Sequence, residues 1–190
     1  FGEYCSRIEY FEKDYELGFV CTNLEEAIIG NNTQSIGTHV FHQCSNLKHI
    51  KIPDNVTTLG FESFKDCSRL MRAYIGCGLT SIEQGLFENC HNLQKLTIAN
   101  GIESIGHSAF KNCTSLVDLA LGSGVTAIGN GAFSSCTGLT NIIISENVSF
   151  LGDGAFSNCK NLNVLVDNSK KNVEYNTSTF QGCKSLRWTK

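Results

Sequence analysis

Proline is nearly absent from this chain: Pro53 is the one proline among 190 residues, beside 18 glycines. That balance excludes a collagen-like or Pro-rich low-complexity chain. Charge is sparse as well, at 17% of residues with a formal net charge of -3, so neither a nucleic-acid footprint nor a polybasic membrane patch is present. No apolar run approaches the about 18 residues of a membrane-spanning helix, and none fits a signal peptide, so direct membrane insertion is not expected. Met71 is the one methionine, and the chain is expected to be a mature or excised segment of a longer protein. What remains is a 41% hydrophobic composition, enough to bury a real core and to exclude a disordered tail. The charges are unevenly placed: residues 1–26 hold seven acids and two bases, and residues 160–190 six bases and two acids.

The decisive feature is an internal period. Phe41, Phe64, Phe87, Phe110, Phe133 and Phe156 fall 23 residues apart, and Phe180 follows after 24. Three residues after each comes a cysteine (Cys44, Cys67, Cys90, Cys113, Cys136, Cys159, Cys183), and three further on a leucine (Leu47, Leu70, Leu93, Leu116, Leu139, Leu162, Leu186). A degenerate earlier copy keeps Cys21 and Leu24. Apolar pairs follow at a spacing of two (Ile50 and Ile52, Ala73 and Ile75, Leu96 and Ile98, Leu119 and Leu121, Ile142 and Ile144), which predicts a short strand with those side chains inward. A turn with Asn or Gly comes next, then two more apolar residues, usually a glycine, and a segment such as Gly131–Cys136 that is read as one or two helical turns packing Ala132 and Phe133 inward. A 23-residue unit cannot cover its own apolar face, so equivalent residues must stack in columns from coil to coil. The expected fold is a solenoid.

This unit, written out in Leu139 to Cys159, resembles the BspA-type leucine-rich repeat over residues 21–187. The resemblance implies an α/β repeat solenoid: a right-handed coil with a parallel sheet on one face and short helical or irregular segments on the other. It also implies a surface-exposed or secreted protein of a host-associated microbe, extracellular or at the cell surface, with adhesion to a host-cell or extracellular-matrix protein as its role. Residues 1–20 are expected to be a polar-faced cap or flanking segment. The last coil is irregular: Asp167 stands where a second inward strand residue is expected, and Lys170 with Lys171 enters the turn. That coil is either a cap or the point where a longer array was cut.

Candidate chemistry dissolves into the repeat. Eight of the ten cysteines share one phase and are read as small, reduced, buried hydrophobes; no Cys-x-x-Cys pair exists to build a zinc site. Cys5 and Cys77 lie outside the phase, and Cys77, in a turn, is the expected exposed thiol. Gly106-His107-Ser108-Ala109-Phe110 resembles a nucleophile elbow but ends in the core phenylalanine. His39 and His42 offer two metal ligands, but Cys44 belongs to the buried column and a third ligand is missing from the local sequence, so they are read as surface histidines. No catalytic residue, cofactor or metal is expected. Sequons at Asn31, Asn55, Asn112, Asn147 and Asn176 would matter only in a eukaryotic secretory route, and repetition alone explains most of them.

The free variables are the residues expected to point outward between the inward strand positions. His49, Lys51, Arg72, Tyr74 and Lys95 make a basic patch with one aromatic, and Ile143, Val164 and Val166 an apolar one. These eight are the candidate contacts for a protein ligand. The leading function is a non-catalytic protein-binding module working through the sheet face; the alternative is a rigid architectural spacer in a larger surface protein. Nucleic acid is not an expected partner.

Overall fold

The computed structural model describes residues 7–11, 21–167 and 172–189. The longer strands are β1 (Arg7–Phe11), β2 (Glu26–Ile29), β4 (His49–Ile52), β6 (Arg72–Ile75), β8 (Lys95–Ile98), β10 (Asp118–Ala120), β12 (Asn141–Ile144), β14 (Asn163–Val166) and β15 (Ser185–Trp188). Between them lie two-residue strands: β3 (Ser35–Ile36), β5 (Thr58–Leu59), β7 (Ser81–Ile82), β9 (Ser104–Ile105), β11 (Ala127–Ile128) and β13 (Phe150–Leu151). Every pairing is parallel. Long strands stack in the orders β1-β2-β4-β6-β8-β10 and β12-β14-β15, and the two-residue strands form a second ladder on another face. The expected cap region contributes β1, which extends the first sheet; the rest of residues 1–20 lies outside the described residues.

One hydrophobic core runs from Cys21 to Val166. The phenylalanine column is its spine, with successive rings from Phe41 to Phe180 stacked at 5.1–5.8 Å and tilted by 5–12°. Ile105, Phe110, Cys113 and Leu116 are buried as the period requires, whereas Leu119 and Leu121 are only partly so. They sit where the long-strand sheet is interrupted, since β10 does not pair with β12.

The expected helical turns are absent: no helix occurs among the described residues. The reason is two left-handed residues per coil, four positions apart. His39, Glu62, Gly85, Ser108, Gly131 and Gly154 form one column, and Gln43, Asp66, Asn89, Asn112, Ser135 and Asn158 the other, all with φ between 53 and 63°. A helical turn cannot pass through such a residue. The backbone bonds to the next coil instead, as in Phe64 N–H to Leu86 O at 3.0 Å and Phe110 N–H to Ala132 O at 2.7 Å. The solenoid is therefore β and turn throughout, and the α part of the expected class is corrected.

The cysteines do more than fill space. Each in-phase thiol from Cys67 to Cys183 donates to the carbonyl of the phenylalanine in the coil before it, at 3.0–3.2 Å (Cys67 to Phe41, Cys90 to Phe64, Cys113 to Phe87, and so on). That carbonyl already accepts an N–H from within its own coil, so the thiol occupies its second lone pair. Alanine would leave the acceptor half satisfied and a larger apolar side chain would not fit the column.

A gap in the second ladder has a definite cause. Gly60, Gly106, Gly129 and Gly152 sit at one repeat position, where a side chain on Gly129 would come within 2.9 Å of the Gly106 carbonyl carbon and the His107 nitrogen. Their amides bond across to the preceding coil at 2.7–2.8 Å. Glu83 occupies that position in its own coil, its Cβ forbids the same approach, and β5 does not pair with β7. A small cavity of about 310 Å³ opens there between Gly60, Phe61, Ser81 and Glu83.

Candidate protein-binding face

The outward residues of β4, β6 and β8 are locked side by side by parallel pairing. His49 is in register with Arg72 and Arg72 with Lys95; Lys51 is in register with Tyr74 and Tyr74 with Thr97. Alternation along each strand sends Ile50, Ile52, Ala73, Ile75, Leu96 and Ile98 into the core and leaves His49, Lys51, Arg72, Tyr74 and Lys95 exposed. Sequence separation of 23 residues thus becomes contact. The Lys51 ammonium lies 5.7 Å from the centre of the Tyr74 ring, a cation-π arrangement that holds the ring ready at the surface. These five residues, with Glu25, Glu26, Lys48 and Thr97, line an open depression of about 1270 Å³. In register the basic run is bounded by Glu26 before His49 and Asp118 after Lys95. Lys48 is already neutralised by Glu25 at 2.8 Å, an exposed pair that holds the Glu25 carboxyl below its ordinary range.

The apolar patch needs correction. Ile143 is outward and 61% exposed, but Val164 and Val166 are buried at 2% and 0%. Asn141 pairs with Asn163 and Ile143 with Leu165, a spacing of 22 instead of 23. In regular coils two residues separate the inward leucine from the next inward strand position, as Thr140 and Asn141 separate Leu139 from Ile142; in this coil Asn163 alone does so. The strand therefore slips by one residue, which exchanges its faces. Leu165 takes the outward place beside Ile143 and Val166 takes the inward place expected of Asp167.

Among the described cysteines all are free. Cys21, Cys44, Cys67, Cys90, Cys113, Cys136 and Cys159 are buried and Cys77 is exposed, as expected; Cys183, in the last coil, is half-buried. Burial pushes the Cys44 and Cys159 thiols up to about 12 and the Cys183 thiol to about 11, and raises Cys67, Cys90, Cys113 and Cys136 as well. These thiols are not nucleophiles at neutral pH. Among the sequons, Asn112 is half-buried and donates its amide to Asn89 at 2.8 Å, and Asn147 donates to the Ser123 carbonyl at 3.0 Å. Asn55 and Asn176 likewise donate to Thr33 and Asp153, so these four amides tie coil to coil.

A BspA type leucine rich repeat region model matches residues 12–120 and 73–187 in six copies. The chain belongs to the BspA-type leucine-rich repeat family. A leucine-rich repeat protein of T. pallidum, known by crystal structure, is similar at 28% identity with a TM-score of 0.68, covering 87% of this chain and 71% of that one. One from Bacteroides ovatus is 18% identical with a TM-score of 0.65, covering 96% of this chain and 64% of that one. The pneumococcal vaccine antigen PcpA shares the fold at 18% identity and a TM-score of 0.50, with 88% of this chain matched to 49% of its own. No curated protein matches the sequence. BspA-type repeats commonly serve as protein-interaction or surface modules, and among the described residues no helix is long and apolar enough to cross a membrane.

Proposed function

We propose that this BspA-type solenoid is a non-catalytic protein-binding module of the cell surface or secreted space, and that it recognises an acidic protein segment through the His49–Lys51–Arg72–Tyr74–Lys95 face. The observation that carries this is the register. Five residues with no part in the core are brought onto three adjacent strands, four of them basic or protonatable and the fifth an aromatic pre-placed under a lysine. A basic surface of this kind steers an acidic partner, and a tyrosine beside an arginine supplies an anchor that becomes buried on docking. The partner class that family membership favours is a host-cell or extracellular-matrix protein. The apolar pair Ile143 and Leu165, further along the stack, is a secondary contact.

The test is interferometry of the tag-free chain against a panel of immobilised matrix and host-cell surface proteins at two salt concentrations. For any ligand bound, Arg72→Glu/Lys95→Glu should abolish most of the association at low salt without changing the unfolding midpoint, and Tyr74→Ala should cost about 2 kcal/mol of binding. Lys160→Glu/Lys184→Glu is the charge control: both lysines are exposed and lie in the turn column instead of the strand column. Equal loss from both pairs would show that bulk charge matters and this face does not. A stable chain that binds nothing on the panel would favour the spacer, for which the uninterrupted core is suited.

A further inference from the structure

We propose that His39, His42 and Glu62 form a binding site for a divalent transition-metal ion, bridging two consecutive coils on the turn face of the solenoid. His39 and Glu62 hold the same repeat position one period apart, both with left-handed backbone (φ 59 and 53°), so their side chains leave the stack side by side. His39 Nε2 lies 3.2 Å from Glu62 Oε2. His42 is on the same turn, its ring centre 5.3 Å from that of His39. One donor atom from each of the three falls within 4.8 Å of the others. Bonds of about 2.0–2.2 Å in a tetrahedral site place donors roughly 3.3–3.5 Å apart, so the trio closes on an ion by movement of about 1 Å in side chains that are exposed or half-exposed.

The surroundings suit a held ion. Asp66 Oδ2 sits 3.2 Å from His42 Nε2, and its other oxygen accepts from Asn89 at 2.8 Å, so a fixed carboxylate orients the imidazole. Lys65 is a cationic neighbour, but it contacts Glu62 through Oε1, at 3.1 Å, and shares its charge with Glu88 at 3.2 Å. Glu62 Oε2 is the oxygen turned to the histidines. Two imidazoles with one carboxylate favour Zn²⁺, Ni²⁺ or Cu²⁺ over Ca²⁺ and Mg²⁺, which ask for oxygen ligands. The ligands span 23 residues, which is why the local sequence around His39 and His42 shows only two of them; adding one period to His39 reaches Glu62.

The probe is Zn²⁺, titrated calorimetrically into the tag-free chain carrying Cys5→Ser/Cys77→Ser, which removes the two thiols outside the repeat phase. One saturable site per chain is expected. His39→Ala, His42→Ala and Glu62→Gln should each weaken it roughly tenfold or more, while His91→Ala and His107→Ala leave it unchanged. Zn²⁺ should also raise the thermal midpoint of the parent and not of His39→Ala/His42→Ala, a double change at the surface whose fold is checked by circular dichroism. Absence of saturable binding, or binding that survives the double change, would overturn the site.

Discussion

Raising the pH should unfold this protein abruptly, because its core holds protons that the unfolded chain releases. Cys44, Cys67, Cys90, Cys113, Cys136 and Cys159 are buried thiols whose ionisation burial pushes above the ordinary value of 9.0, in Cys44 and Cys159 to about 12. A group whose folded pKa is raised gives stability that is complete below the unfolded pKa and is lost as pH climbs toward the folded one. Above pH 9 the unfolded state binds fewer protons than the native state, so stability falls. Each thiol withdraws about 1 kcal/mol between pH 9 and 10 and approaches ~1.4 kcal/mol per pH unit above that, so the six together withdraw roughly 6 kcal/mol between pH 9 and 10. Total stability for a domain is ~5–15 kcal/mol, so the fold should fail between about pH 10 and 11. The assay is urea unfolding followed by circular dichroism, under argon with a phosphine reductant, at half-unit steps from pH 8 to 10.5. Cys113→Ala/Cys136→Ala should start less stable, because the Phe87 and Phe110 carbonyls lose their thiol donors, yet show a slope about one third shallower. A parent whose stability changes by less than about 2 kcal/mol from pH 9 to 10 would refute the thiol column as a buried proton store.

Three further outcomes are expected. Phe110→Ala should destabilise the fold by about 3–5 kcal/mol in equilibrium unfolding, since it removes a fully buried ring stacked on both Phe87 and Phe133; a loss below about 1 kcal/mol would place the ring outside the core. In thiol labelling of the native protein at neutral pH, Cys77 should react fastest among the described cysteines, with Cys183 next and the buried column silent until denaturant is added. Glu83→Gly should let the coil approach its neighbour as the other coils do, bringing protection from hydrogen exchange to the residue 83 amide, whereas Gly129→Glu should open a new gap and cost about 1–3 kcal/mol; unchanged exchange in the first and unchanged stability in the second would remove Glu83 as the cause.

The buried half of the structure was legible in the sequence because stacking allows one solution: a residue at a given phase of a 23-residue period meets its own kind above and below, so Phe, Leu and Ile columns are inward wherever the register holds. The turns were harder to read. Left-handed backbone is announced by glycine or asparagine, and Gly85, Gly131, Gly154, Asn89, Asn112 and Asn158 do announce it, but His39, Gln43 and Glu62 share those columns without any such mark. Val164 and Val166 were misplaced for a related reason. Periodicity fixes a face by counting from Leu162, and one lost residue between that leucine and its strand inverts the count; the Asn-x-Ile pattern of Asn141–Ile143 repeated as Asn163–Leu165 was the available signal. Seven of the eight in-phase thiols lie buried and unbridged as expected, with Cys183 only half-buried, while their hydrogen bonds lay beyond reach because the acceptor carbonyl is 26 or 27 residues back and belongs to the backbone.

Departures from the repeat are not spread evenly, and their distribution bears on where function sits. In the turn columns, coils beyond residue 130 carry Gly131, Gly154, Ser134, Ser157 and Ser135, small residues that serve the stack and present little to solvent. The equivalent positions from 39 to 111 include His39, Glu62, His42, Lys65, Glu88, Lys111 and Asp66 beside the uncharged Gly85, Ser108, Gln43 and Asn89, and the charged ones are joined coil to coil by ion pairs at 3.2–3.5 Å, with Lys65 and Glu62 paired within one turn at 3.1 Å. The basic sheet face occupies residues 49–95, and the Glu83 gap falls between the two coils that bear Lys51 and Tyr74. A turn column needs no charge to stack, since Ser134 and Ser157 bridge the same positions through a single 2.9 Å hydrogen bond. Exposed ion pairs add little stability for the side chains they immobilise. The charged stretch is therefore better explained by what it presents to solvent than by what it holds together, and the first four coils are where ligand contacts and metal ligands should be sought by mutation.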